Sequence, residues 1–306
     1  MSAAIVASVL ATTLALCPSV LYATLGEIVG QRTGIVNLGI EGVMLIGAVV
    51  GFVVGVSSGN SYLGVLAGAA AGCAFNLLLA AMVVTRGTNQ LASGFALYFL
   101  GAGISTLVGA DYVGRNLGGL GQLDVPGLAS LPHPWDSVFH QDLLVWLMVP
   151  IVIALSWVLF HTRWGLHLRA VGEDKDSAYA AGLHPDRIQY QALALAGAFS
   201  GLAGAHLALA YTKTWQDWMT AGRGFVAIAI VIFALWHPGR AILGALLFGG
   251  SIAVGLQLQA HGSPVSPFLL DMLPYLITIA IVLAWGRPKA FAVPAGLREV
   301  FAGTSK

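Results

Sequence analysis

The sequence predicts an all-α fold: a polytopic transmembrane bundle of about nine helices with one broken or re-entrant segment. Three observations lead there. Of 306 residues, 58% are hydrophobic and only 9% are charged, against about 25% charged in a soluble domain, and the mean hydropathy is +0.84. Uncharged runs recur along the whole chain and approach or exceed the roughly 20 residues that cross a hydrocarbon core. Lysine and arginine are distributed unevenly between the connections. The net charge of +1 says little about partners, because placement outweighs the sum.

The first run, about 3–25, has no positively charged start, and Leu16 is too large for the residue preceding a lipidated cysteine at Cys17. It is therefore expected to stay as a span rather than to be removed as a signal. Cys17 and Cys73 both lie in apolar runs, where buried thiols rather than a disulfide are expected. The next runs fall at about 40–57, 61–85 and 88–110. Gly47, Gly51 and Gly55 recur every four residues, as do Gly64, Gly68 and Gly72, and Gly197, Gly201 and Ala205 repeat the spacing later. A helix face of small residues lets backbones approach closely in lipid. The loop 111–141, rich in Gly and Pro, reads as an external cap.

Further runs fall at about 142–160, 189–211, 223–236, 241–258 and 268–285, before a tail at 286–306. The run at 223–236 is too short to cross upright, and a broken segment is tolerated only where protein or water covers its backbone. With 161–188 on the cytosolic side, that side collects Arg32, Arg86, Arg163, Arg169, Lys175, Arg187, Arg240, Arg287, Lys289, Arg298 and Lys306. The other side keeps Arg115, Lys213 and Arg223. Eleven against three sets the C-terminus inside and, across nine spans, the N-terminus outside. The whole chain reads as one membrane domain, without a soluble domain or repeat array.

Enzyme chemistry finds no footing. "GRGFVA" at 222–227 fits a dinucleotide fingerprint formally, but no βαβ unit surrounds it. "AFSG" at 198–201 lacks nucleophile-elbow spacing. The eight histidines show no paired metal-ligand spacing, and His206 reads as a packing residue inside a span. No phosphate-binding G-x-x-x-x-G-K-[ST] is present, so any ATP must be bound by another chain.

Polarity concentrates instead in "QRTGIVNLGIEGVMLIG" at 31–47. A carboxylate at a helix centre costs about 2.5–3.5 kcal/mol on insertion scales, so Glu41 is expected near the cytosolic interface and turned from lipid. Gly34, Gly39 and Gly42 permit a broken entry. Asn37 and Glu41, four apart, would share a face of any helical turn. They are read as lining the cytosolic end of a pathway or locking it shut, with Arg32 as a candidate partner of Glu41.

On the basic side, "HTRWGLHLRAVGEDKDSAYAAGLHPDRIQ" at 161–189 is the longest polar insertion. Its middle predicts a short helix capped by Gly172, with Glu173, Asp174 and Asp176 at the positive end of the dipole. Gly182 suits a left-handed C-terminal cap before Pro185. A capped helix between two spans reads as a docking lever.

At this segment the chain resembles a known family. "GLHLRAVGEDKDSAYAAGLHPDRIQYQALALAGAFSGLAGA" is similar to the coupling region of ABC-importer permeases in the branched-chain amino acid, ribose and nucleoside group. "QRTGIVNLGIEGVMLIGA", "NQLASGFAL" at 89–97, "GRGFVAIAIVIFALWHPGRAILGALLFGG" at 222–250 and "DMLPYLITIAIVL" at 271–283 resemble the nucleoside-type branch, across about residues 22–285. Gln31 stands where that branch usually has an acidic residue, and "EDK" replaces the usual Glu-Asn-Pro of the coupling segment.

The resemblance implies a multi-pass permease of the bacterial cell (inner) membrane, most like the shorter of two paralogous permeases that pair as a heterodimer. It implies a cytosolic ABC ATPase that binds ATP and magnesium, an extracytoplasmic substrate-binding lipoprotein, and nucleosides or related purine and pyrimidine compounds as cargo. No cofactor, metal, catalytic residue or nucleic-acid partner belongs to this chain in that reading. On the matching segments, Asn89, Gln90 and Phe225 join Asn37 and Glu41 as pathway or gate candidates. Glu173, Asp174, Ala180, Gly182 and Leu183 become candidates for ATPase coupling. The alternative within the same machinery is a simple sugar such as ribose. An ion-coupled secondary transporter would be a different class. It is disfavoured because spans 61–85 and 189–211 carry no ionisable group except His206.

Overall fold

Every apolar run becomes a helix in the computed structural model, which describes residues 3–124, 134–285 and 293–301. In order these are α1 (Ala3–Gln31), α2 (Ile40–Ser58), α3 (Ser61–Ala80) and α4 (Gln90–Gly109), then a short α5 (Asp136–Phe139) and α6 (Leu143–His161). Two helices, α7 (Arg163–Glu173) and α8 (Lys175–Ala180), form the polar elbow. They are followed by α9 (Pro185–His206), α10 (Arg223–Phe233), α11 (Pro238–Ala260), α12 (Pro267–Trp285) and α13 (Ala295–Phe301). Wider π turns, bonded i to i+5, extend α3 over Ala81–Thr85 and α9 over Leu207–Tyr211. Among the described residues, seven helices are long and apolar enough to cross a membrane, and two apolar ones, Arg223–Phe233 and Pro267–Ala280, are shorter.

The starts follow local chemistry. Asn60, Asn89 and Asp142 cap α3, α4 and α6, each side chain accepting two backbone N–H groups that the first turn leaves free. One expectation is corrected. The first span runs to Gln31 rather than to about 25, because its polar last turn is satisfied internally: Gln31 donates to Glu27 at 2.8 Å and accepts from the Trp236 indole at 2.7 Å. A carboxylate at position 31 could not do both. Arg223, counted with the sparse external charges, lies at the start of α10, its guanidinium bonded to the Met219 and Thr220 carbonyls.

The glycine stripes pack against one another. Backbones of α2, α3 and α9 meet where Gly47 faces Gly201, Gly68 faces the Gly47 carbonyl and Gly72 faces Gly197 and Gly201. A Cβ on Gly201 would sit 2.3 Å from the Gly68 carbonyl oxygen, and one on Gly204 only 1.9 Å from that of Met44. Close approach of this kind is what small-residue faces exist for in lipid. The seam places α2 and α9 at the centre, mostly buried, while α4, α6 and α12 keep one face open.

Of the loop expected as a cap, 125–133 lie outside the described residues, and the described flanks fold back over one end of the bundle. Leu120 N–H donates to the Leu209 carbonyl, Ser61 hydroxyl to the Gly119 carbonyl, and strands β1 (Gln122–Asp124) and β2 (His140–Asp142) pair antiparallel with Leu123 opposite Gln141. His206 is fully buried, with Nε2 3.3 Å from the Asp142 carboxylate that caps α6. It packs as expected, but only Nε2 is satisfied: Nδ1 is buried without a hydrogen-bond partner among the described residues.

Candidate functional site

Residues 32–39 break the helical path between α1 and α2, and polar side chains from α1, α3, α4 and α9 hold the break. Asn37 amide donates to Asn76 Oδ1 at 2.8 Å, its backbone N–H reaches Glu27 Oε1 at 3.0 Å, and its own Oδ1 accepts Gly39 N–H. Asn76 passes the chain of bonds on to the Leu193 carbonyl. Gln90 accepts from Val36 N–H and donates to the Gly34 carbonyl, while Gln189 donates to the Thr33 carbonyl. Non-helical backbone inside a bundle needs such partners, since lipid supplies none. Gln90 therefore clamps the break, and Asn89 beside it caps α4.

Glu41 does a different job. Its side chain is 3% exposed and accepts Thr220 Oγ1 at 2.6 Å, Gly222 N–H at 2.7 Å and Gly224 N–H at 2.6 Å. The last two are the free N–H groups at the start of α10, so a carboxylate from α2 caps the positive end of a short interior helix. Charge-assisted bonds of this kind are roughly twice as strong as neutral ones, which offsets the cost of burying the charge. Gly224 permits the approach: a Cβ there would lie 2.7 Å from Glu41 Oε2.

Two expectations change here. Arg32 is not the partner of Glu41; it donates to the Trp236 carbonyl at 3.0 Å and lies 5.5 Å over the Phe160 ring. Asn37 and Glu41 do not share a helical face, because 35–37 have no helical turn. Glu41 lies at the start of α2, beside α4. Its neighbour Gly42 abuts Tyr98, eight residues along α4 from Gln90, or about 12 Å at 1.5 Å per residue.

Tyr98 leads to an open face. Its ring lies edge-on to Phe225 at 5.5 Å and to Trp218 at 6.2 Å. Phe225 and Trp218 remain 36% and 52% exposed. Trp218 stands at φ 58° and Ala221 at φ 47°, left-handed backbone that costs a non-glycine residue of order 1–3 kcal/mol.

The elbow is two helices rather than one. Gly172 is not its cap but an interior residue of α7, pressed so close to the break that a Cβ would meet the Arg32 carbonyl oxygen at 2.0 Å. Asp174 caps α8 instead, accepting Asp176 and Ser177 N–H and the Ser177 hydroxyl. The hydroxyl and then the backbone donors hold the Asp174 carboxyl below the usual range. The cap therefore persists at neutral pH and is lost only as acid protonates it. Gly182 takes φ 83°, as expected, with Gly182 N–H to Tyr179 and Leu183 N–H to Ala178, a Schellman ending. Ala180 and Gly182 face outward, nothing lies within 4 Å of a Cβ built on Gly182, and Tyr179 at the tip is 70% exposed. Glu173 Oε2 accepts Ala295 N–H from α13.

Sequence reasoning missed Glu27, Asn76, Gln189, Thr220, Trp236 and Trp218. Asn76 alone carried a signal, as a strongly polar residue deep within an apolar run. The rest are defined by neighbours distant in the chain.

Residues 9–282 match the family described as the permease component of a branched-chain amino acid transport system. A putative glucose ABC transporter permease of Haloferax volcanii is 37% identical over 287 residues, 86% of each chain. A nucleoside ABC transporter permease of Lactococcus lactis is 33% identical over 289 residues, 90% of each. A guanosine ABC transporter permease of Bacillus subtilis is 30% identical over 314 residues, 95% of this chain and 97% of that one. No solved structure matches the chain.

Proposed function

The chain belongs to the branched-chain amino acid transport system permease family, a multi-pass ABC-importer permease subunit of the cell membrane and not itself an enzyme, and from that premise we propose that it imports nucleosides. The family implies a separate ATPase and a substrate-binding protein in general. The finer reading is a heterodimer with a paralogous permease, nine spans with the N-terminus outside, a cytosolic ATPase that binds ATP and magnesium, and an extracytoplasmic lipoprotein that selects the cargo. The nucleoside-type motifs support the cargo, together with the guanosine and nucleoside permeases among the relatives. The 37% identity to a putative glucose permease favours a sugar as the second reading. Uptake of labelled guanosine and glucose by the complete transporter decides between them: accumulation of glucose alone overturns the nucleoside reading.

The observation that carries the coupling role is the position of the elbow. The outward α8 is clamped at both ends, and α7 rests directly on the 32–34 backbone through Gly172. A push on α8 is thereby delivered to the break that Glu27, Asn37 and Gln90 hold. Ala180→Asp and Gly182→Val alter solvent-facing positions, so the isolated permease should tolerate them apart from local strain at 182. In the assembled transporter, a charge or branched side chain buried in an ATPase groove is expected to lower transport and substrate-stimulated ATP hydrolysis roughly tenfold, the equivalent of about 1.4 kcal/mol. Abundance in the membrane should stay normal. Undiminished coupled turnover in both variants would reduce the elbow to a connector.

Topology has its own test. With Cys17 and Cys73 replaced, Asn60→Cys should react with an impermeant thiol reagent added outside, and Asp174→Cys only after the membrane is opened. His133, in the loop expected outside, lies outside the described residues. Labelling of position 174 in intact cells would reverse the orientation.

A further inference from the structure

The segment between α9 and α10 descends into the bundle without helical structure. At one level Trp215 bridges Val113 and lies against Gly109, beside the C-terminal end of α4. Three residues later, a chain length of at most about 11 Å, the Trp218 ring meets Tyr98, which precedes Gly109 by eleven residues on α4. Gln216, Asp217, Trp218 and Ala221 on this descent are all exposed. Irregular backbone with polar side chains at such depth is incompatible with lipid and persists only against protein or water. A face formed by Trp218, Tyr98 and Phe225 beside such a segment suits protein or water rather than lipid.

We infer that this face is a stacking wall of the translocation pathway, on which the planar base of a nucleoside rests as it passes. The inference builds on the nucleoside reading and deepens it by naming the surface that meets the base. Tyr98 stands edge-on to both neighbours, at 70° to Trp218 and 72° to Phe225. It braces those rings, and both stay partly exposed. Stacking on an aromatic face suits every base, since each has a π-face, and it gives cohesion without tight selection. A pathway that must release its cargo requires that combination. Behind the wall, Glu41 fixes Thr220, Gly222 and Gly224, so the rings are carried on a segment anchored at its lower end. The Tyr275 hydroxyl fixes it from α12 by donating to the Ala221 carbonyl at 2.7 Å.

The test uses the complete transporter in vesicles, with Trp218→Phe and Trp218→Leu, and guanosine, uridine and glucose as cargo. Stacking predicts that Trp218→Phe keeps most guanosine uptake, while Trp218→Leu lowers it at least fivefold at equal permease abundance. The loss should be larger for the two-ring guanine than for uracil, and an 8-azido-purine nucleoside should crosslink to the parental permease at 98, 218 or 225. A structural role alone would depress both nucleosides by one factor. Equal losses for both, or guanosine uptake unchanged in Trp218→Leu, would overturn the wall while leaving the nucleoside function intact. A parental transporter that accumulates glucose and no nucleoside overturns the functional reading, and the wall with it.

Discussion

Membranes carrying Glu41→Ala are expected to hold the permease at parental abundance yet import its cargo at least roughly tenfold more slowly, since more than one buried donor loses its acceptor. The carboxylate receives three donors, from Thr220, Gly222 and Gly224. Each left unpaired costs about 1–3 kcal/mol, and the N-terminal dipole of α10 loses its counter-charge. Interior packing of α10 by Val226, Ala227, Ile230 and Val231 should keep the helix in the bundle, so the loss appears as disorder of its entry rather than as unfolding. Glu41→Gln is expected between the two. Its carbonyl oxygen can still accept from Thr220 and Gly222, but its amide then opposes Gly224 N–H, donor against donor. Asn37→Leu, which breaks the tie to Asn76, should impair uptake as well. If Glu41→Ala and Asn37→Leu both transport like the parent, the polar cluster is packaging and the lock lies elsewhere. If abundance falls in step with uptake, Glu41 is an anchor of the fold and not a lock.

The second large effect is on assembly. Gly204→Val is expected to remove most folded permease from the membrane, because its Cβ would stand 1.9 Å from the Met44 carbonyl oxygen. Side chains can rotate away from an intruder; a backbone carbonyl in a neighbouring helix cannot. The cost should reach or pass the upper end of the overpacking range, about 3 kcal/mol. Gly103→Ala is the control, with nothing within 4 Å of its Cβ on an exposed part of α4, and should leave yield and thermal unfolding unchanged. Solubilised yield and melting temperature by size-exclusion fluorescence read both variants. A Gly204→Val permease that melts with the parent would show that α2 and α9 are not held together at this seam.

Much of the candidate site was half legible. That "GIVNLGIEG" is special could be read from its composition, because a carboxylate and an asparagine beside an apolar run require a reason. Which groups satisfy them could not. Arg32 looked suitable for Glu41 by proximity in the chain, yet the structure sends it to Trp236 and Phe160. The elbow divides the same way. Gly182 was readable as a left-handed cap because few other residues adopt that conformation. Gly172 was misread as a cap because its real constraint, the Arg32 carbonyl, belongs to another part of the chain.

The membrane-spanning class, the positions of the apolar helices apart from the end of α1, the glycine faces and the family were legible in the chain alone. These are set by composition and short-range periodicity, since lipid acts on each segment separately. Only the tertiary structure decided that α1 carries Glu27 into the bundle, that α2 caps α10, that α7 rests on the break, and that Trp218 stands beside Tyr98. Glu41 and Gly224 are 183 residues apart. A hydrogen bond between them depends on where packed helices place two backbones to within an ångström, and no local pattern in a chain encodes that distance.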